Sequence, residues 1–351
     1  MRILSVFFIT LWLFAACAEK KPASKNEFII GRGQMPAIAK ANDNSLHIVY
    51  GTGDSIMYSF STDLGKSFSP ASLIAILPDL AASHTRGPQI AATKNGLVVL
   101  ACNGAGDIFS YHNSGAGNWL PAAKVNDVDT VAKENLMALS ADGQYAYAVW
   151  LDLRGNKHNK IYGARSDDGG KSWTKNTMIY TSPDSTVCEC CKPSVAVQGN
   201  NVYVMFRNWL KGNRDMYLIQ SADGGNTFGE AQKLGNGNWA LDGCPMDGGS
   251  LAIGTNGAVQ TVWRREDKLY TATPGFPEKE IGNGKGSSMD IQNGKNVYSW
   301  IENGEIVIKT AAGKRQSPGK GKQPVLKAIT NDQLLCVWEN DQQIHATIIN
   351  N

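Results

Sequence analysis

Four of the seven cysteines are gathered in two short segments, Cys188-Glu189-Cys190-Cys191 and Leu241-Asp242-Gly243-Cys244-Pro245-Met246-Asp247. Sulfur at this density supports three chemistries. The first is covalent: one disulfide joining the two segments and a second within the cluster would staple neighbouring parts of the chain. Four cysteines allow three pairings, and adjacent Cys190 and Cys191 can bond only in a strained geometry. The second is a soft-metal site, with thiolates and Met246 offered to copper(I) or zinc, although Cys-x-Cys-Cys is tighter than usual zinc spacing. The third is thiol reactivity, in which nearby arginines depress a thiol pKa.

Other polar residues fall at strand ends. Arg207 closes the run Tyr203-Val204-Met205-Phe206-Arg207, and Arg264 closes Val262-Trp263-Arg264. Asp152 and Arg154 follow Val149-Trp150, His84 precedes Arg86, and Arg214-Asp215 opens another strand candidate. Glycoside hydrolysis requires two carboxylates converging on one bond. Asp152, Glu189 and Asp242 are the candidates for that work. The histidines show no paired ligand spacing, so a histidine-rich metal centre is not supported.

The elements that must position these groups are short strands. Apolar runs recur with Asn, Asp and Gly turns between them, at Asn42-Asp43-Asn44, Asn95-Gly96, Asp142-Gly143, Gly199-Asn200-Asn201, Asn256-Gly257, Asn293-Gly294 and Asn331-Asp332. Such turns between alternating runs signal hairpins. Their spacing of roughly 37 to 58 residues is that of a four-stranded β-propeller blade. No long amphipathic helix is visible. The reading is an all-β propeller with four-stranded blades, seven by repeat count, with six as the alternative. The last repeat lacks an outer strand, which Glu27–Arg32 is expected to supply. Both cysteine segments directly precede inner strands (Ser194–Val197 and Ser250–Ile253), whose starts point toward the axis in a propeller.

Three turns share a pattern: Ser61-Thr62-Asp63-Leu64-Gly65-Lys66-Ser67-Phe68, Ser166-Asp167-Asp168-Gly169-Gly170-Lys171-Ser172-Trp173 and Ser221-Ala222-Asp223-Gly224-Gly225-Asn226-Thr227-Phe228. The Asp carboxylate can accept backbone N–H groups just ahead, and Gly supplies a positive φ. These turns resemble the Asp boxes of the sialidase-like (neuraminidase) superfamily of β-propellers, sometimes called BNR repeats. The resemblance covers nearly all of the chain beyond its N-terminal segment and implies that the boxes are structural, on the face opposite an axial site.

The same resemblance implies three arginines that clamp a substrate carboxylate, a Tyr nucleophile activated by Glu, and an Asp general acid. Arg32 in Arg32-Gly33-Gln34-Met35-Pro36 and Arg86 in Arg86-Gly87-Pro88 are alternatives for the first arginine, and Arg207 and Arg264 fit the other two. The place of the activating Glu holds Cys190-Cys191-Lys192, and that of the Tyr holds Gly286-Ser287-Ser288-Met289-Asp290. The expectation is therefore a glycan or small anionic ligand held in an arginine-lined axial pocket, without ordinary sialidase machinery. The alternatives are a divergent glycoside hydrolase and a thiol- or metal-dependent enzyme built on the cysteine cluster.

Across 351 residues, hydrophobic content of 42% and charged content of 19% describe a globular chain with ample length for a core. The net charge is only +3, and no basic run follows an element pattern, which argues against nucleic acid. Lys314–Lys322 reads as a solvated loop, and Cys102 and Cys336 as buried small apolar residues. At the N-terminus, Arg2 is followed by an apolar Ile3–Ala16 that ends in Leu13-Phe14-Ala15-Ala16-Cys17, and then by a polar Ala18–Asn26. Small residues before a Cys resemble a bacterial lipobox. Residues 1–16 are thus expected to be a signal peptide, 17–26 a lipidated Cys17 and tether, and 27–351 the propeller. The protein is expected to be an exported monomer held to a bacterial membrane by lipid alone, on the periplasmic or cell-surface side.

Overall fold

The structure is a computed structural model, described over residues 27–113 and 118–351; the expected signal peptide, Cys17 and tether lie outside the described residues. Alternating apolar runs form twenty-eight strands, in seven four-stranded antiparallel sheets. After β1 (Glu27–Arg32), blade 1 is β2 (Gln34–Lys40), β3 (Leu46–Thr52), β4 (Ser55–Ser61) and β5 (Ser72–Ile76). Blade 2 is β6 (Gln89–Thr93), β7 (Gly96–Cys102), β8 (Ile108–Asn113) and β9 (Trp119–Lys124). Blade 3 is β10 (Met137–Asp142), β11 (Tyr145–Asp152), β12 (Lys160–Ser166) and β13 (Thr177–Tyr180). Blade 4 is β14 (Ser194–Gln198), β15 (Asn201–Leu210), β16 (Asn213–Ser221) and β17 (Gln232–Lys233). Blade 5 is β18 (Ser250–Ile253), β19 (Val259–Arg265), β20 (Lys268–Ala272) and β21 (Lys279–Asn283). Blade 6 is β22 (Lys285–Gln292), β23 (Lys295–Glu302), β24 (Glu305–Lys309) and β25 (Arg315–Lys320). The last three strands, β26 (Lys322–Ala328), β27 (Gln333–Asn340) and β28 (Gln343–Asn350), lack an outer partner of their own.

That partner is β1, which pairs with β28 from Glu27 opposite Thr347 to Arg32 opposite Gln343. The expected ring closure by Glu27–Arg32 therefore holds, and the blade number is seven rather than six. The core is distributed accordingly. Seven apolar clusters each sit between two neighbouring blades. One of them packs Leu335 and Val337 of blade 7 against Leu46, Ile48 and Tyr50 of blade 1, sealing the ring. Large aromatics on second strands (Trp150, Trp300 and Trp338) are fully buried in these seams, and each buries on the order of 200 Å² of mostly apolar surface.

The three Asp boxes share one geometry at the ends of β4, β12 and β16. Ser221 Oγ donates to Asp223 Oδ1 at 2.7 Å and accepts the Gly225 N–H at 2.8 Å. Thr227 closes the loop by donating its N–H at 2.9 Å and its hydroxyl at 2.6 Å to the same carboxylate. Equivalent bonds hold Asp63 and Asp168. The hydrogen bonds from Thr227 and Ser221 hold the Asp223 carboxyl at a pKa of about 2. Each box glycine docks on the preceding blade: Gly65 against Ile348, Gly170 against Val98 and Gly225 against the Tyr147 ring. In an antiparallel blade the third strand ends where the first strand ends, so the boxes lie on the face opposite the inner-strand starts.

The Lys314–Lys322 stretch is corrected by the structure. It is not a solvated loop: its residues form the whole of β25 and the start of β26.

Candidate functional site

The first residues of six inner strands (Gln34, Gln89, Ser194, Ser250, Lys285 and Lys322) converge on one cavity of about 1100 Å³ at the axis. Strand convergence alone produces such a mouth; its chemistry comes from the residues just before and at those starts. Five cations reach its wall: Lys192, Arg264, Lys285, Lys320 and Lys322. Three carboxylates also reach it, Asp247, Glu339 and Asp341, and two of these are engaged within the protein. Glu339 accepts the Met35 N–H and the Gln34 amide, both at 3.3 Å. Asp247 is buried, accepts the Gly286 N–H at 3.0 Å and lies 3.8 Å from Arg264; burial outweighs these partners and raises its pKa. Lys192 donates to Gln89 Oε1 at 2.7 Å, and burial pulls its ammonium down to a pKa of about 8.

The wall also carries two observations that a structural role alone does not require. Thr85 Oγ1 and Ser287 Oγ are buried and have no hydrogen-bond partner among the described residues. Seven non-glycine wall residues hold positive φ: Met35, His84, Thr85, Met246, Gln323, Asp341 and Gln342. Backbone held in that region costs on the order of 1 kcal/mol or more per residue and clusters at functional sites.

Of the arginines expected to form a clamp, Arg32, Arg86, Arg207 and Arg264, the structure places only Arg264 on the wall of the axial cavity. Strand alternation turns Arg207 to the same face as Met205, toward blade 5. There it is buried and gives its N–H groups to the carbonyls of Arg214, Asp247 and Arg264 at 2.7 to 3.1 Å. Arg86 donates to the Glu134 carbonyl at 2.7 Å and joins blade 2 to the blade 3 entry. Arg32 is exposed and borders a separate groove of about 300 Å³.

None of the three carboxylate candidates lines the axial cavity. Asp152 is fully buried and saturated by Trp150 Nε1 and by the N–H, Nε and Nη2 of Arg154, all at 2.8 to 2.9 Å. Glu189 pairs with Arg214 at 3.5 Å, and Asp242 is exposed in the loop before Cys244. Among the described residues no tyrosine lines the cavity either. The paired carboxylates that glycoside hydrolysis uses are thus not supplied by the residues expected to supply them.

The four cysteines do converge. Gly248 brings the two segments together: a Cβ there would stand 2.2 Å from the Lys192 carbonyl oxygen. Cys190 is disulfide-bonded to Cys244, as one bridge between the segments requires, and the second expected bridge is open. Cys188 and Cys191 are buried thiols with sulfurs 3.1 Å apart. Zinc does not fit here: tetrahedral ligation at a Zn–S distance of about 2.3 Å separates sulfurs by about 3.8 Å, and the bridged Cys190 is no thiolate. Arg214, near the start of β16, donates to Cys188 Sγ at 3.1 Å. With the Cys191 thiol beside it, then the Cys190 N–H, Arg214 and Arg207, Cys188 falls to a pKa of about 7 despite its burial. Burial and the neighbouring Cys188 raise that of Cys191.

Lys192, Lys285, Lys320 and Lys322 were missed as site residues. The signal that locates them is positional: each stands at or within two residues of an inner-strand start.

Residues 30–270 match the family model of the BNR repeat-like domain. No curated protein matches the chain in sequence. Among solved structures, an α-L-arabinanase of Penicillium chrysogenum complexed with arabinobiose is similar at TM-score 0.57 and 14% identity, over 94% of this chain and 99% of that one. The BP39L lectin of Burkholderia pseudomallei is similar at TM-score 0.64 and 11% identity, over 92% and 97%. The NanB sialidase of Streptococcus pneumoniae matches at TM-score 0.49 and 12% identity, over 94% and 71%. At such identities the likeness is one of fold.

Proposed function

The chain belongs to the BNR repeat-like domain family, and from that premise we propose that it is a binding propeller for an anionic glycan, seated in the axial cavity. The observation that carries this reading is the excess of cations on the cavity wall, five against three carboxylates. Cations converging in a concave, partly water-excluded mouth attract a carboxylate or sulfate more strongly than the same charges on an open surface. A sugar is the ligand class because the similar propellers include a lectin and an arabinanase bound to arabinobiose. Turnover is not part of the proposal, since no expected carboxylate or tyrosine stands on the wall.

We also propose that the chain is exported and lipid-anchored through Cys17, a reading that rests on the N-terminal sequence. The test of ligand binding is calorimetric titration with matched sulfated, uronate-containing, sialylated and neutral oligosaccharides. A charged member should bind, and a Lys285→Glu/Lys322→Glu double variant should lose at least tenfold in affinity. Equal or tighter binding of the neutral sugars, or an unchanged double variant, would overturn the assignment. Hydrolysis of a fluorogenic sialoside at ordinary enzymatic rates would overturn the non-catalytic reading separately.

A further inference from the structure

The buried thiols beside the bridge take no part in the cavity wall or in the seams between blades. Cys188 and Cys191 stand at Cys-x-x-Cys spacing, and their sulfurs touch at 3.1 Å. Between them in sequence, Cys190 carries the bridge to Cys244, and its sulfur lies 3.7 Å from that of Cys188. One disulfide and two thiols are therefore packed within reaction distance, with Cys188, Cys190 and Cys191 buried and Cys244 exposed. We propose that this cluster is a thiol–disulfide exchange site, in which the Cys188/Cys191 pair passes two electrons to the Cys190–Cys244 bridge.

The exchange needs no outside reagent to balance. The Cys188 thiolate, its proton given to solvent, attacks Cys190 Sγ. A Cys188–Cys190 bond forms as Cys190–Cys244 breaks, and Cys244 leaves as a thiolate and is protonated by the water to which it is exposed. Cys191 then gives up its proton and attacks Cys188 Sγ. The Cys188–Cys191 bond closes, and Cys190 leaves and is protonated. One disulfide and two thiols are present before and after.

The surroundings choose the attacking sulfur. Cys188 receives the Arg214 Nη1 hydrogen bond at 3.1 Å, with Arg207 beyond it and Cys191 alongside. Glu189 faces outward and pairs with Arg214 at 3.5 Å. From blade 5 the Asp247 backbone faces Cys191, which burial keeps protonated. A thiol that ionises near neutrality is the best nucleophile there, and a leaving sulfur open to water departs readily. Exposure makes Cys244 the outlet as well: a small external thiol or disulfide meets it before either buried partner. The bridge also tethers the Cys244–Gly249 wall of the axial cavity, so exchange would release that wall.

The test uses the whole chain. Fully reduced protein is oxidised without oxygen by one equivalent of glutathione disulfide, quenched with acid at intervals and alkylated, and the pairings are mapped by peptide mass spectrometry. Single-bridge molecules should contain both Cys190–Cys244 and Cys188–Cys191, with a ratio that keeps relaxing after the oxidant is consumed. That relaxation should accelerate from pH 6 to pH 8. An Arg214→Gln variant should relax roughly three- to tenfold more slowly at pH 7, with its profile displaced upward, whereas Arg214→Lys should stay close to the native rate. Cys190–Cys244 as the sole bridge at every time and pH would refute exchange, as would a ratio fixed once the oxidant is gone. Because the native chain supplies the pH profile, the result stands even where a variant fails to fold.

Discussion

At the scale of single residues, the cavity holds one lysine, Lys192, whose charge is conditional. Burial depresses the Lys192 ammonium to a pKa of about 8, so this side chain loses its proton well before an exposed lysine does. A bound anion favours the charged form, which couples binding to proton uptake above that pH. The expected outcome is anion affinity that falls between pH 7 and pH 9, and a Lys192→Met variant that binds several-fold more weakly at pH 7 with a flattened profile. Titration calorimetry in buffers of different ionisation enthalpy reads both effects, and a native affinity indifferent to pH across this range would rule out Lys192 as a contact. Arg207 shows why residue type alone misdirects. At the end of a strand it reads as a ligand clamp, yet a one-residue alternation turns it into a seam where three carbonyls consume its donors. Nothing in the local sequence states which face of β15 looks toward blade 5.

At the scale of elements, the Asp boxes were legible because their bonds are local. Ser, Asp, Gly and Ser or Thr within seven residues contain all the donors and acceptors that fix the turn. Their second role, docking on the preceding blade, is long-range and was not visible in the pattern. Gly225 has φ +88°, and a Cβ on it would fall 2.1 Å from the Tyr147 ring. A Gly225→Ala change should therefore cost about 1–3 kcal/mol through strain and displaced packing, while leaving ligand affinity unchanged on the opposite face. Urea unfolding with a parallel binding titration distinguishes this from a site defect: loss of binding by the folded variant would contradict the face assignment. The bonds to the Asp223 carboxylate are acid-resistant. A carboxyl with its folded pKa depressed contributes stability above the unfolded value of about 3.9. That contribution is lost only as pH falls through about 2.

At the scale of the whole molecule, periodicity revealed the ring, because each blade is one short-range unit repeated. It also revealed the closure, since a final repeat with three strands requires a fourth from elsewhere. The chemistry of the axial mouth was harder to read, because it is assembled from short segments contributed by six blades, and no one window of sequence contains it. Removing residues 27–32 should lower the thermal unfolding midpoint by several degrees and expose β28 as an open edge that promotes self-association. Calorimetry and sedimentation measure both, and an unaltered midpoint would mean that β1 contributes nothing to the ring. The same closure sets an order of events during biogenesis. Glu27 finds its register partner at Thr347, so among the described strands the first to emerge waits for the last. Until that strand arrives, β1 has no sheet to join and the seam between blades 7 and 1 stays unsealed. Closure of this propeller is therefore tied to synthesis of β28, and nascent molecules halted before Gln343 would present an unfinished ring to proteases.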